Sequence, residues 1–253
     1  MKSYLIVGAL LLVIVALLAT NKKLVETVKN IFKIEDLRKR LIYTCLLILV
    51  YRLGCYVVIP GIDPNLLGEG SALANQMDSN GLLGLLNVFS GGAFANAAIF
   101  ALGVMPYITA SIIIQLLGMM VPAVQKMMKE GESGRRKMNQ WTRLLTIGVL
   151  ALQGPAYVAN LYHQMPEAFV YGNTFIFTIY ATIILIAGTM FVVWLGEKIT
   201  DKGIGNGVSL IIMIGIVARL PHALLAELSA RLNTSTGSLI MIIIELVLLF
   251  LVF

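Results

Sequence analysis

Apolar residues run along this chain in blocks of span length, broken by short polar and charged patches. Seven blocks stand out: 4–20, 41–59, 95–121, 144–162, 175–195, 208–220 and 239–253. Most approach the roughly 20 residues that a helix needs to cross a bilayer. Between the second and third lies a shorter apolar stretch, Leu82 to Phe89, closed by Ser90-Gly91-Gly92. It is too short to span. The block after it, Ala95 to Val121, carries Gly103 and Pro106 and is expected to be one full-length interrupted helix. A half-length element beside a Gly/Pro-interrupted span suits a protein with a polar pathway through the membrane, and a simple anchor needs neither.

Composition sharpens this to a polytopic, all-α membrane helix bundle. Hydrophobic residues make up 58% and charged residues 13%, against about 25% charged in ordinary soluble domains. Charge gathers in alternate loops. Lys22, Lys23, Lys29, Lys33, Arg38, Lys39 and Arg40 form one patch, and Lys126, Lys129, Arg135, Arg136, Lys137 and Arg143 a second. Lys198 and Lys202 form a third, whereas residues 60–80 and 163–174 have no Lys or Arg. The positive-inside rule puts the basic segments in the cytoplasm and 60–80 outside, with Arg231 the one exception. The net charge of +6 follows from topology and attraction to anionic phospholipid, with no need for nucleic acid. Residues 22–40 have the spacing of an amphipathic surface helix, with a solvated basic linker as the alternative. Residues 1–21 form an extra apolar segment, readable as an N-outside span, an interfacial helix or a misplaced start.

Chemistry-bearing residues are few. Cys45 and Cys55, ten apart on one span, cannot pair with each other and read as small packing residues. His163 and His222 stand alone, and no nucleotide, metal or nucleophile motif occurs, so no cofactor and no enzymatic activity are expected. Gly203 to Gly207, GIGNG, has neither a preceding strand nor a Walker lysine and reads as a tight turn with Asn206 capping the next helix. Glu245, inside the last apolar block, reads as a buried, hydrogen-bonded structural carboxylate, with a proton relay as the alternative.

Several stretches carry a family resemblance: KNIFKIEDLRKR, YRLG, PGID, LNVFSGGAF, IFALGVMPYITASIIIQLL, KEGESGRRKMNQWTR and ITDKGIGNGVSLIIMIGIVARLP, in that order. From about Lys23 onward the chain resembles bacterial SecY, the channel subunit of the Sec protein translocase. The resemblance implies a clamshell of two inverted five-helix halves, of which 41–220 would be the N-terminal half and 221–253 an external loop with most of the sixth helix. It implies that 82–93 is the plug, with Leu82, Leu83, Leu85, Leu86, Asn87, Val88, Phe89, Ser90, Gly91 and Gly92 as its residues and the glycines as its hinge. Val104, Ile108, Val208 and Ile212 would line the pore ring, each pair four residues apart on one helix face. Gln115 and Gln153 would border the lateral gate, or simply bond helix to helix. The implied function is passive conduction of unfolded polypeptides across the bacterial cytoplasmic membrane, and release of apolar segments into it. The implied partners are SecE, SecG, and SecA or the ribosome. The rival readings are a non-conducting membrane fragment and a secondary transporter. Half a clamshell is expected to make no gated pore by itself.

Overall fold

The computed structural model describes residues 33–67, 81–169 and 174–219. The expected first and last spans, His222, Arg231 and Glu245 lie outside these residues. The described elements are α1 Glu35–Gly54, a 3-10 turn Pro64–Leu66, α2 Gly81–Phe89, α3 Met105–Met120, α4 Pro122–Lys129, α5 Glu132–Gln164, a 3-10 turn Pro166–Ala168, α6 Thr174–Lys202 and α7 Gly207–Arg219. The fold is all-α, and among the described residues the only β pairing is two isolated bridges. The chain divides into a unit spanning Arg40–Ile216 and one made of Met1–Lys39 with Val217–Phe253. In the second, Lys39 pairs with Glu35 at 2.9 Å on an exposed face.

Helices α5 and α6 are long and apolar enough to cross a membrane. At 33 residues α5 is about 50 Å long, beyond the roughly 30 Å of bilayer hydrocarbon. Its basic first turns therefore have room to project past the apolar layer. Outward positions stay apolar: Leu144, Leu152 and Phe175 are 71%, 79% and 74% exposed. A helix bundle in water would carry charge there, whereas lipid tails solvate Leu and Phe.

Small residues let the helices close on each other. The inner face of α6 buries Ala181, Leu185, Gly188, Val192, Leu195 and Ile199 at alternating steps of four and three. α3 buries Pro106, Ala110, Ile114 and Gly118, every fourth residue, and packs on α5. Gly154 faces Thr182 across the α5–α6 contact, where an added Cβ would fall 2.8 Å from its methyl group. Such small-residue seams suit helix association in lipid, where close packing replaces the hydrophobic drive.

One expectation is corrected. The block 95–121 is not a single helix: the α-helix begins only at Met105, and residues 90–104 form a chain of turns. Gly91, Gly92, Ala97 and Gly103 take φ of 65°, 91°, 44° and 53°. A right-handed helix cannot run through four left-handed residues, and Pro106 fits the first turn of α3 because its missing N–H is not needed there.

Candidate pore segment

The turns from Ser90 to Val104 put irregular backbone inside an apolar bundle, which demands that its polar groups be satisfied by protein. Most of its amides are. Asn87, 2% exposed at the end of α2, accepts through Oδ1 from the Ala95 amide at 3.1 Å. The Ser90 hydroxyl donates to the Asn87 carbonyl and accepts from the Phe94 amide, both at 3.1 Å. Tyr157 of α5 donates its hydroxyl to the Phe94 carbonyl at 2.9 Å and meets the Phe94 ring edge-on. The stretch after α1 completes the set: the Ile59 amide donates to the Ala97 carbonyl and the Ile99 amide to the Val57 carbonyl, both at 2.9 Å. Helix packing closes over the rest. The Phe100 ring fills the space beside Gly54, and Gly188 of α6 lies directly against the Ile99 backbone.

The Ser90–Gly91–Gly92 turn sits between α1 and α7. Tyr51 donates to the Ser90 carbonyl at 3.4 Å, and Arg52 Nη1 donates to the Gly91 carbonyl at 3.2 Å. On the other side an added Cβ on Gly215 would lie 3.0 Å from the Phe89 carbonyl oxygen. The glycines thus serve left-handed backbone and close approach.

The residues singled out for the ring and plug fall as follows. Val104 is buried at the N-cap of α3, and Ile108, one turn on, is half-buried; Ile108 donates its amide to the Val104 carbonyl at 3.1 Å. Val208 is half-buried against Gly196 of α6. Val104 belongs to a cluster with Tyr51, Cys55 and Phe100, and both Ile108 and Val208 pack against that cluster. Ile212 is half-buried and lies four residues after Val208 and three before Gly215, so α7 turns one face made of these three positions. That face reaches the glycine turn at Gly215. In α2, Leu85 is exposed, while Leu86, Val88 and Phe89 are half-buried. Gln115 and Gln153 are both exposed and are not brought together; Gln115 donates to the Ser111 hydroxyl at 3.2 Å on its own helix.

At the basic ends, Arg143 of α5 binds the Glu197 carboxylate of α6 through two nitrogens, Nε to Oε1 at 3.0 Å and Nη2 to Oε2. The GIGNG turn behaves as its sequence implies, with Asn206 Oδ1 accepting from the Val208 and Ser209 amides at 3.1 and 3.2 Å. Cys45 is exposed, Cys55 is buried, and both are free thiols. Asn87 was singled out with the plug residues, but its bond to the Ala95 amide was not anticipated, nor were Arg52, Tyr157 and Gly215 as parts of this site. For Arg52 the signal was present: a cation well inside an apolar block marks a site by default. For Asn87 and Tyr157 no sequence signal distinguishes a tertiary hydrogen bond from an ordinary polar position.

A short helix, a buried non-helical segment and a 16-residue apolar helix, with two full-length spans, define a polytopic membrane helix bundle. The SecY family model matches residues 98–253. Similar proteins include the protein translocase subunit SecY of Streptomyces scabiei, 46% identical over 201 residues, or 76% of this chain and 45% of that one. The subunit of the same name from Thermotoga maritima is 43% identical over 78% of this chain and 46% of its own, and that of Halalkalibacterium halodurans 39% over 88% and 50%. The chain belongs to the SecY family, and it spans about half the length of the curated relatives it matches.

Proposed function

We propose that this chain supplies one wall of a protein-conducting channel, passing unfolded polypeptides across the bacterial cytoplasmic membrane and releasing apolar segments into lipid. The observation that carries the reading is the buried run of turns, Ser90–Val104, linking the short α2 to the 16-residue α3. Together with relatives named as translocase subunits, it favours a channel over a simple anchor. In this reading 41–220 is the N-terminal five-helix half, 221–253 leads into the sixth helix, and Leu82–Ala93 is the plug. Val104 and Ile108 with Val208 and Ile212 contribute to a constriction. β-branched apolar side chains are stiff and offer water no hydrogen bond, so a ring of them resists wetting yet yields to a passing chain. Gln115 and Gln153, exposed in this half, would face the lateral gate. Energy comes from a partner, SecA or the ribosome, with SecE and SecG completing the assembly, and the chain itself catalyses no reaction. A secondary transporter would be expected to carry ionisable groups at midmembrane in several spans, and the described spans offer Arg52 with the Arg143–Glu197 pair near their basic ends.

The test is ion leak. In the assembled channel, replacing Val104, Ile108, Val208 and Ile212 with Ser and deleting 82–93 should raise bilayer conductance well above the parent. Leak at the parent level would overturn the ring.

A further inference from the structure

Arg52 is a charge that orientation does not call for. It lies in the last turn of α1, beyond eleven uncharged residues that follow Arg40, and is half-buried. The place it reaches is the turn that follows α2, at the negative end of that helix's dipole. Its Nη1 donates to the Gly91 carbonyl at 3.2 Å. Tyr51 donates to the neighbouring Ser90 carbonyl at 3.4 Å, and the Cys55 thiol approaches the same oxygen at 4.0 Å. Gly91 fills a slot: an added Cβ would fall 2.8 Å from Arg52 Nη1 and 3.1 Å from Gly215 Cα, at a φ of 65°. Tyr51, Arg52 and Cys55 therefore converge on the two carbonyls just past the end of α2, and α7 closes the opposite side.

We infer that Arg52 is a positioning residue, a latch that holds the α2 turn seated between α1 and α7, and that displacement of α2 begins with the breaking of its contact to Gly91. The inference builds on the reading of α2 as the plug. A charge-assisted hydrogen bond suits a latch, because it is strong while the turn is seated and is lost stepwise once water reaches the guanidinium. Cys55, 2% exposed beneath the turn, becomes a native reporter of the latch, since lifting the turn uncovers its thiol.

The experiment uses the full channel in lipid nanodiscs with the exposed Cys45 changed to Ser, and measures the rate at which N-ethylmaleimide modifies Cys55. Arg52→Met is expected to raise that rate about tenfold or more, the loss of a charged hydrogen bond. Arg52→Lys keeps a cationic donor and should stay near the parent. An unchanged rate in Arg52→Met overturns the latch. If Arg52→Met fails to fold, Gly91→Ala replaces it, because its Cβ would push the turn off an intact Arg52; a rate equal to the parent's again overturns the inference. Deleting 82–89 from a channel whose four ring positions are Ser, and measuring ion leak against the same ring variant with 82–89 present, tests the plug separately. Unchanged leak sinks the plug reading while the thiol rates still decide whether Arg52 holds the turn.

Discussion

Gly188→Ala asks whether the irregular segment is as tightly built as its hydrogen bonds imply. Gly188 lies on the inner face of α6, where an added Cβ would fall 2.3 Å from the Ile99 carbonyl oxygen and 2.7 Å from its Cγ2. Ordinary contact begins near 3.4 Å, so one methyl group must open this seam by about 1.1 Å, the difference between the two distances. The atom in the way is backbone and cannot rotate aside. Ile99 is also tied by its amide to the Val57 carbonyl at 2.9 Å, so moving it strains the stretch after α1 as well. Overpacking of this kind costs about 1–3 kcal/mol. The same change within α5 at Gly148, where nothing lies within 4 Å, keeps only the helix-propensity gain of about 1 kcal/mol. Both changes gain that propensity, so the two variants should differ by the overpacking cost alone, about 1–3 kcal/mol, with Gly188→Ala the less stable. Unfolding of the purified chain by sodium dodecyl sulfate titration in mixed micelles, followed by far-UV circular dichroism, measures the difference. Equal stability of Gly188→Ala and Gly148→Ala would refute the argument that the turns at 90–104 are packed rigidly against α6.

Tyr157→Phe should destabilise by about 1–2 kcal/mol in the same titration, because the buried Phe94 carbonyl loses its donor while the aromatic contact survives; no loss would mean the carbonyl finds another partner. For orientation, Ser133→Cys, at an exposed position of the basic segment, should resist an impermeant maleimide in intact cells while Leu66→Cys reacts, and the reverse pattern would invert the topology.

Periodicity and charge made much of this bundle legible. The blocks at 41–59, 144–162 and 175–195 correspond to α1, α5 and α6, although α5 and α6 extend beyond their apolar cores because a helix need not stop where hydropathy does. α7 begins at Gly207, one residue before its apolar block, since the GIGNG turn and Asn206 fix its start. The block at 95–121 misled. Its first part, 95–104, is apolar because it is largely buried, and burial alone does not tell helix from turns. The deciding features were the left-handed glycines at 91, 92 and 103 and the left-handed Ala97, whose conformation no local pattern announces. The site was legible in outline through α2 and the glycine turn. What holds the turn was not, because Tyr51, Arg52 and Tyr157 act across 39 to 63 residues of sequence and only the fold brings them there.

The central claim is that α3 and α7 face a passing polypeptide. Photo-cross-linking in the assembled channel addresses it directly: a photoreactive residue is placed singly at Ile108, Ile212 or the outward-facing Leu144, and a secretory protein is arrested partway through. The account predicts adducts to the arrested chain from Ile108 and Ile212 and adducts to lipid alone from Leu144. Polypeptide adducts from Leu144 with none from Ile108 and Ile212 would contradict it.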